Sequence, residues 1–262
     1  EDLRLNIIQE KTKIIPKNIN FNKACIDSKQ IKKNDIFFAI KGKKNDGNKF
    51  VGEAFNKKAS IAIVNKINKN YNNKKQIKVR DTLKFLTQCS KIYRQNINTK
   101  IIAITGSCGK TTLKELLGSS LKKIYKVSTS PKSYNNKYGV PLSLFNINQK
   151  DQYGVLEIGM DKKGEIDFLS KIVQPDVSVI TNINYAHAKN FRNIKQIALA
   201  KSEIINNTNN NGSIVLNADD RFFNFHKKIA LRKNLNILSF SIKKKNTNVK
   251  LISIKKVDKK FK

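Results

Sequence analysis

Cysteine is sparse in this 262-residue chain, and its three thiols, Cys25, Cys89 and Cys108, form neither a CxxC element nor a metal-ligand spacing. A disulfide framework and a cysteine-held metal are thereby excluded, and an odd, small set of thiols fits a reducing cytoplasm. No run of about 18 apolar residues and no signal peptide is present, so the chain is expected to be soluble, cytoplasmic and without membrane insertion. Arginine is scarce too: 6 of the 53 basic residues are Arg. The formal charge of +34 points first to a nucleic acid or an acidic membrane. Nucleic-acid grooves, however, favour clustered arginine with interleaved aromatics. The lysines are instead spread along the whole chain, with asparagine and isoleucine also abundant, which is compositional bias rather than a binding stripe. Lys243-Lys-Lys245 and the tail from Lys255 to Lys262 read as solvated faces or frayed ends. The first residue is Glu1 rather than methionine, as a trimmed start would leave it.

What is present is more specific. In Ile101-Ile-Ala-Ile-Thr-Gly-Ser-Cys-Gly-Lys-Thr-Thr112 an apolar run suited to a buried strand meets a glycine turn. Leu113, Leu116, Leu117 and Leu121 then recur at helical spacing. A turn between strand and helix lets backbone N–H groups of residues 106 to 112 converge on an anionic phosphate, with Lys110 as a point charge and Thr111 within reach of a magnesium ion. Gly106, Ser107, Cys108, Gly109, Lys110, Thr111 and Thr112 are therefore the expected ATP-binding residues. One glycine is missing: the general phosphate-loop pattern has Gly six residues before the lysine, where this chain has Ile104.

At this length two domains are the natural expectation. Residues 1–97 carry strand-like runs at 36–40, 61–64 and 76–79, with helical stretches at 49–58 and 82–95, and Asn96–Lys100 reads as a polar linker. Residues 98–262 alternate strands at 101–105, 126–129, 153–158, 176–181, 213–217 and 236–241 with helices at 111–123, 140–146, 164–173, 193–206 and 219–231. The expected fold is α/β: a small mixed amino-terminal domain, then a phosphate-loop domain with a mostly parallel sheet covered by helices on both faces. In such a sheet, ligands collect beyond the carboxyl ends of the strands. Glu157 follows one strand, Thr181 to His187 follow the next, and Asn217-Ala-Asp-Asp220 follow a third. Thr111 and Glu157 suit a magnesium ion, which prefers hydroxyl, carboxylate and phosphate oxygens. For Asp219, capping of the following helix is an equally good reading.

These residues, in this order, resemble the Mur ligase family, ATP-dependent amide-forming enzymes of peptidoglycan synthesis. The resemblance runs over nearly the whole chain. Ile26-Asp27-Ser28-Lys29, Asn34 to Gly42 and Asp46-Gly47-Asn48 are similar to the domain that holds the uridine nucleotide, although Lys29 replaces a usual Arg and Asn48 a common His. Thr105-Gly106-Ser107-x-Gly109-Lys110-Thr111 is the short form of the loop that this family uses. Tyr134-Asn135-Asn136 with Gly139 and Pro141, Glu157-Ile-Gly-Met160 with Gly164-Glu165-Ile166, Thr181-Asn-Ile with Ala186-His187, and Ala200-Lys201-Ser-Glu203-Ile204 complete the set.

The resemblance implies ligation of D-alanyl-D-alanine to UDP-N-acetylmuramoyl-tripeptide through an acyl phosphate, giving ADP and phosphate, by a monomer that binds no nucleic acid. It implies Lys110, His187 and Lys201 as catalytic residues, with ATP and two magnesium ions. Thr111 and Glu157 would hold one ion, and His187 with a carbamylated Lys201 the other. Asp27, Ser28, Asp46 and Gly47 would bind the uridine end of the substrate, and Asn135 and Asn136 the substrate or a phosphate, turn formation being the other reading of the two asparagines. Members of the family have a third, carboxy-terminal domain of which no trace is found by Lys262, so the isolated chain is expected to ligate poorly. Another Mur-type or folylpolyglutamate-type ligase, or a basic nucleic-acid-binding phosphate-loop NTPase, are the alternatives.

Overall fold

Short isoleucine-rich runs form the strands, and leucine, isoleucine and phenylalanine at helical spacing form the helices over them. The computed structural model describes residues 2–14, 19–42, 45–185, 190–243 and 246–253. In chain order the elements are α1 (Leu3–Thr12), β1 (Ala24–Cys25), β2 (Ile36–Phe38), α2 (Val51–Asn56), β3 (Ile61–Val64), β4 (Gln76–Lys78), α3 (Thr82–Gln95) and β5 (Lys100–Thr105). They continue with α4 (Lys110–Leu121), β6 (Val127–Thr129), α5 (Gly139–Phe145), β7 (Tyr153–Glu157), α6 (Glu165–Val173) and β8 (Val177–Ile180). The last are α7 (Ile194–Asn206), β9 (Ser213–Asn217), α8 (Phe223–Arg232), β10 (Asn236–Ser241) and β11 (Val249–Lys250). Two compact units emerge: Glu1–Lys100 with Glu115–Leu156, and Ile101–Lys114 with Glu157–Lys262.

In the first unit, β1 to β4 form a parallel sheet in sequence order. Every residue of β2 and β3 is buried, as both faces of a parallel sheet should be. Helix α3 begins at an Asp81 cap whose carboxylate accepts the Lys84 N–H, and it buries Phe85, Leu86, Cys89 and Tyr93 along one face. The Phe145 ring at the end of α5 is met edge-on by Phe21, Phe38 and Tyr93, with centroids 6.3, 6.2 and 5.6 Å away. The edge of β1 is closed by one side chain: the Asn146 amide accepts from the Ala24 N–H at 2.7 Å and donates to the Ala24 carbonyl at 2.8 Å.

The second unit is built on parallel pairs β5–β8, β8–β9, β9–β10 and β10–β11. Helix α6 packs on α7, and α7 on α8. Helix α7 starts at an Asn193 cap and buries Ile194, Ile197, Ala198, Ala200, Lys201, Ile204 and Ile205. A lysine thus lies in the apolar stripe of an otherwise ordinary amphipathic helix.

Several boundaries depart from the expectations, each for a local reason. The helix expected over 49–58 is split, because Asp46 accepts the Asn48 N–H and sets a tight 3₁₀ turn at Gly47–Phe50 before α2. The helix expected from 219 starts at Phe223, since the Asp220 carboxylate first holds the Phe222 N–H in a turn. Asp219 is no helix cap: it accepts from the Ser241 hydroxyl and from the Ile242 and Lys243 N–H groups, so it fastens the end of β10. Within Asn96–Lys100, Ile97 and Thr99 are buried and the Thr99 hydroxyl donates to the Asp151 carbonyl. Helix α1 has no strong apolar stripe, with only Ile7 and Ile8 buried, and was not expected.

Candidate active site

The chain leaves β5 at Thr105 and turns at once. Gly106 has φ near +149°, and a Cβ there would lie 1.9 Å from the Thr181 hydroxyl oxygen, so the turn needs glycine for conformation and for space. Gly109, with φ near +79°, faces open space and leads directly into α4 at Lys110. The N–H groups of a helix's first turn have no intrahelical acceptor, and the helix dipole adds positive potential there. The strand–turn–helix expected for phosphate binding is therefore present.

Lys110 folds back over this turn and donates to the carbonyls of Gly106, at 2.9 Å, and Ser107, at 3.3 Å. Lys201 arrives from α7, only 2% exposed, and donates to the same Gly106 carbonyl at 2.9 Å. Burial, then the positive charge of Lys110, pushes the Lys201 amine down to about 7. Beside them the Thr111 hydroxyl donates to a Glu157 carboxylate oxygen at 2.7 Å, and Glu157 is 1% exposed at the end of β7. A half-buried hydroxyl and a buried carboxylate beside a helix N-terminus form a hard donor set that suits a divalent ion shared with phosphate oxygens. Among the described residues no group of three or more His, Cys, Asp or Glu could hold a metal without such help. His187 lies outside the described residues.

Ser107 is buried; its hydroxyl donates to the Asn184 carbonyl and accepts from the Asn184 N–H, both at 2.9 Å. Cys108 and Thr112 are exposed, and all three thiols are free. The structure thus brings Lys110, Thr111, Glu157 and Lys201 into one place in the second unit. Asp27, Ser28, Asp46, Gly47, Asn135 and Asn136 belong to the first. There Asp27 accepts from the Lys29 N–H and the Gln30 amide, and the Ser28 hydroxyl donates to Glu53 at 2.7 Å. Hydrogen bonds from Asn48 hold the Asp46 carboxyl below its ordinary range. Gly47 has no room for a Cβ, which would sit 2.6 Å from the Ile40 nitrogen. Asn136 accepts the Tyr138 and Gly139 N–H groups, each at 3.0 Å, so it shapes the entry to α5.

Sequence reasoning passed over Asn182, Asn184 and Asp220 as individual residues. Asn182 and Asn184 grip the loop, and the Asp220 carboxylate accepts the Ile183 N–H between them at 2.7 Å. Their one available signal was position, directly after strands β8 and β9.

Residues 104–262 match the Mur ligase middle domain, and residues 21–94 match the Mur ligase family catalytic domain. The UDP-N-acetylmuramoyl-tripeptide–D-alanyl-D-alanine ligase of Buchnera aphidicola subsp. Acyrthosiphon pisum is 39% identical over 86% of this chain and 48% of its own length. Among solved structures, MurF from Acinetobacter baumannii aligns with a TM-score of 0.82 at 33% identity, over 96% of this chain and 55% of that one. MurF from Thermotoga maritima, solved in complex with ADP, aligns at 0.71 and 31% identity over 86% and 52%. The chain spans about half the length of the relatives it matches. With the loop, its lysine and its threonine–glutamate pair all inside the matched middle domain, this chain belongs to the Mur ligase family.

Proposed function

We propose that the chain is the uridine-nucleotide- and ATP-holding part of an amide ligase that joins D-alanyl-D-alanine to UDP-N-acetylmuramoyl-tripeptide, releasing ADP and phosphate. One observation carries this reading: Lys110, Thr111, Glu157 and Lys201 meet around a single glycine loop at the end of a parallel strand. The choice of substrates is supported by relatives named for that reaction, 39% and 35% identical to this chain. In this reading residues 1–97 hold the uridine end of the substrate and residues 98–262 hold ATP.

A carboxylate is a poor electrophile, so the γ-phosphoryl group of ATP is first transferred to it, and the amine of D-alanyl-D-alanine then attacks the acyl phosphate and displaces phosphate. The barrier to the first step is chiefly crowding of negative charge. Lys110 leaves its two loop carbonyls for the phosphate oxygens, and the first N–H groups of α4 point at the same anion. Thr111 and Glu157 would hold a magnesium ion, which supplies further neutralisation of that charge. As a lysine, Lys201 donates hydrogen bonds and ligates no cation. Carbamylation would give it a carboxylate for the second ion, shared with His187, and its amine, partly neutral near pH 7, reacts in the neutral form. A cytoplasmic monomer completes the proposal.

The test is phosphate release from ATP by the whole protein. Release that requires both UDP-N-acetylmuramoyl-tripeptide and D-alanyl-D-alanine supports the reading. Release with neither, joined to nucleic-acid affinity that falls steeply with salt, would favour a nucleic-acid-dependent NTPase instead.

A further inference from the structure

The loop lacks the first glycine of longer phosphate loops, yet residues just past β8 hold it from outside, Asn182 with the most bonds. Asn182, two residues past β8, grips the Cys108 residue from both sides. The Cys108 N–H donates to its Oδ1 at 3.1 Å, and its Nδ2 donates to the Cys108 carbonyl at 3.1 Å. Its own carbonyl accepts the Ser107 N–H at 2.9 Å. The neighbouring Thr181 hydroxyl donates to the Cys108 carbonyl at 2.6 Å. The amide orientation is fixed by this pairing, since the flipped form would set an NH₂ against an N–H and an oxygen against a carbonyl. Asn146 holds the backbone of Ala24 in the same two-bond manner, where it closes a strand edge. At Cys108 the device lies 74 residues away in sequence and holds an exposed turn instead.

We infer that Asn182 is a positioning residue for nucleotide binding, one that fixes the short loop before any nucleotide arrives. The inference rests on the reading of this loop as the ATP site and assigns what shapes it. With the Ser107 and Cys108 N–H groups committed to Asn182, the phosphates are met by the N–H groups from Gly109 onward, at the start of α4, together with Lys110. A preformed cradle spares the nucleotide the cost of ordering the loop. Loss of the two side-chain bonds costs affinity on the order of 10-fold or more, at about a factor of three or more for each hydrogen bond.

The test compares ATP affinity of the chain with that of Asn182→Ala, Lys110→Ala and Asn209→Ala. Asn209 makes a comparable bond, to Asp176 at the end of β8 opposite the loop. Weakening of about 10-fold or more in Asn182→Ala, with Asn209→Ala at the parental value, supports the inference. A folded Asn182→Ala that binds ATP within about 2-fold of the parent overturns it. If ATP binding is absent in the parent, or unaffected by Lys110→Ala, the ATP reading itself fails, which is a separate outcome. Amide exchange on the unaltered, nucleotide-free chain gives a second measurement that no folding defect can obscure. The exposed Cys108 amide should exchange slowly, and exchange at the rate of an unstructured peptide would contradict the clamp.

Discussion

The side-chain nitrogens of Lys110 and Lys201 end on the same oxygen, each 2.9 Å from the carbonyl of Gly106. Lys201 lies buried in the apolar face of α7, which disfavours its charged form, and the positive charge of Lys110 on the same carbonyl adds to that. The Lys201 amine loses a proton near pH 7, whereas in the unfolded chain the value is about 10.5.

Stability should follow from that difference. Between about pH 7 and 10.5 the unfolded chain holds more protons at this site than the folded chain, so this group's contribution falls as pH falls. Below about pH 7 both forms are protonated and the penalty is constant. Lys201→Met should therefore be more stable than the parent at low pH, by a few kcal/mol, with the gap closing as pH rises. Urea unfolding in carbonate-free buffer across that range measures it. A gap that does not change with pH would show that Lys201 is not buried as an unfavourable charge.

Gly106 and Gly109 should tolerate alanine very differently. Gly106→Ala meets both a forbidden backbone angle and the Thr181 hydroxyl at 1.9 Å, so a loss of about 3 kcal/mol is expected. Gly109→Ala faces only the angle, with open space beyond, and should cost about 1–2 kcal/mol. Equal effects in chemical denaturation would mean that the Thr181 contact does not shape the turn.

In the proposed function the carboxylate of Glu157 would hold magnesium. In Glu157→Gln the Thr111 hydroxyl retains an oxygen to bond, so the loop should persist while the anionic ligand is lost. The increase in ATP affinity on adding magnesium should fall by about 10-fold, with binding of metal-free ATP unchanged or improved. Isothermal titration with and without magnesium separates these, and an undiminished magnesium effect would remove Glu157 from the metal site.

Asn136 is a helix-entry residue whatever else it binds. Asn136→Ala frees the Tyr138 and Gly139 N–H groups and should lower stability by about 1 kcal/mol, read from the urea midpoint. No change would assign the side chain wholly to ligand binding.

Much of this was legible in the sequence because the signals are local. Helix α3 falls on its expected bounds because Asp81 caps it and Phe85, Leu86, Cys89 and Tyr93 repeat at helical spacing. The loop from Gly106 to Thr112 was legible because strand, glycine turn and helix are consecutive. Side-chain bonds across long sequence separations were not: nothing near Asn182 announces Cys108, and nothing near Asp219 announces Ser241. Lys201 sits between these cases. Family resemblance marked it, while in a lysine-rich chain its burial is a property of how α7 is packed, not of its own type.

In the proposed function Lys110 is the residue that engages phosphate. That role should be tested by equilibrium titration of the chain and of Lys110→Ala with magnesium–ATP. The prediction is saturable binding at one site per chain, weakened about 100-fold or more by the substitution, with the urea midpoint nearly unchanged. Equal affinity in the two proteins, or no saturable binding in the parent, would contradict it.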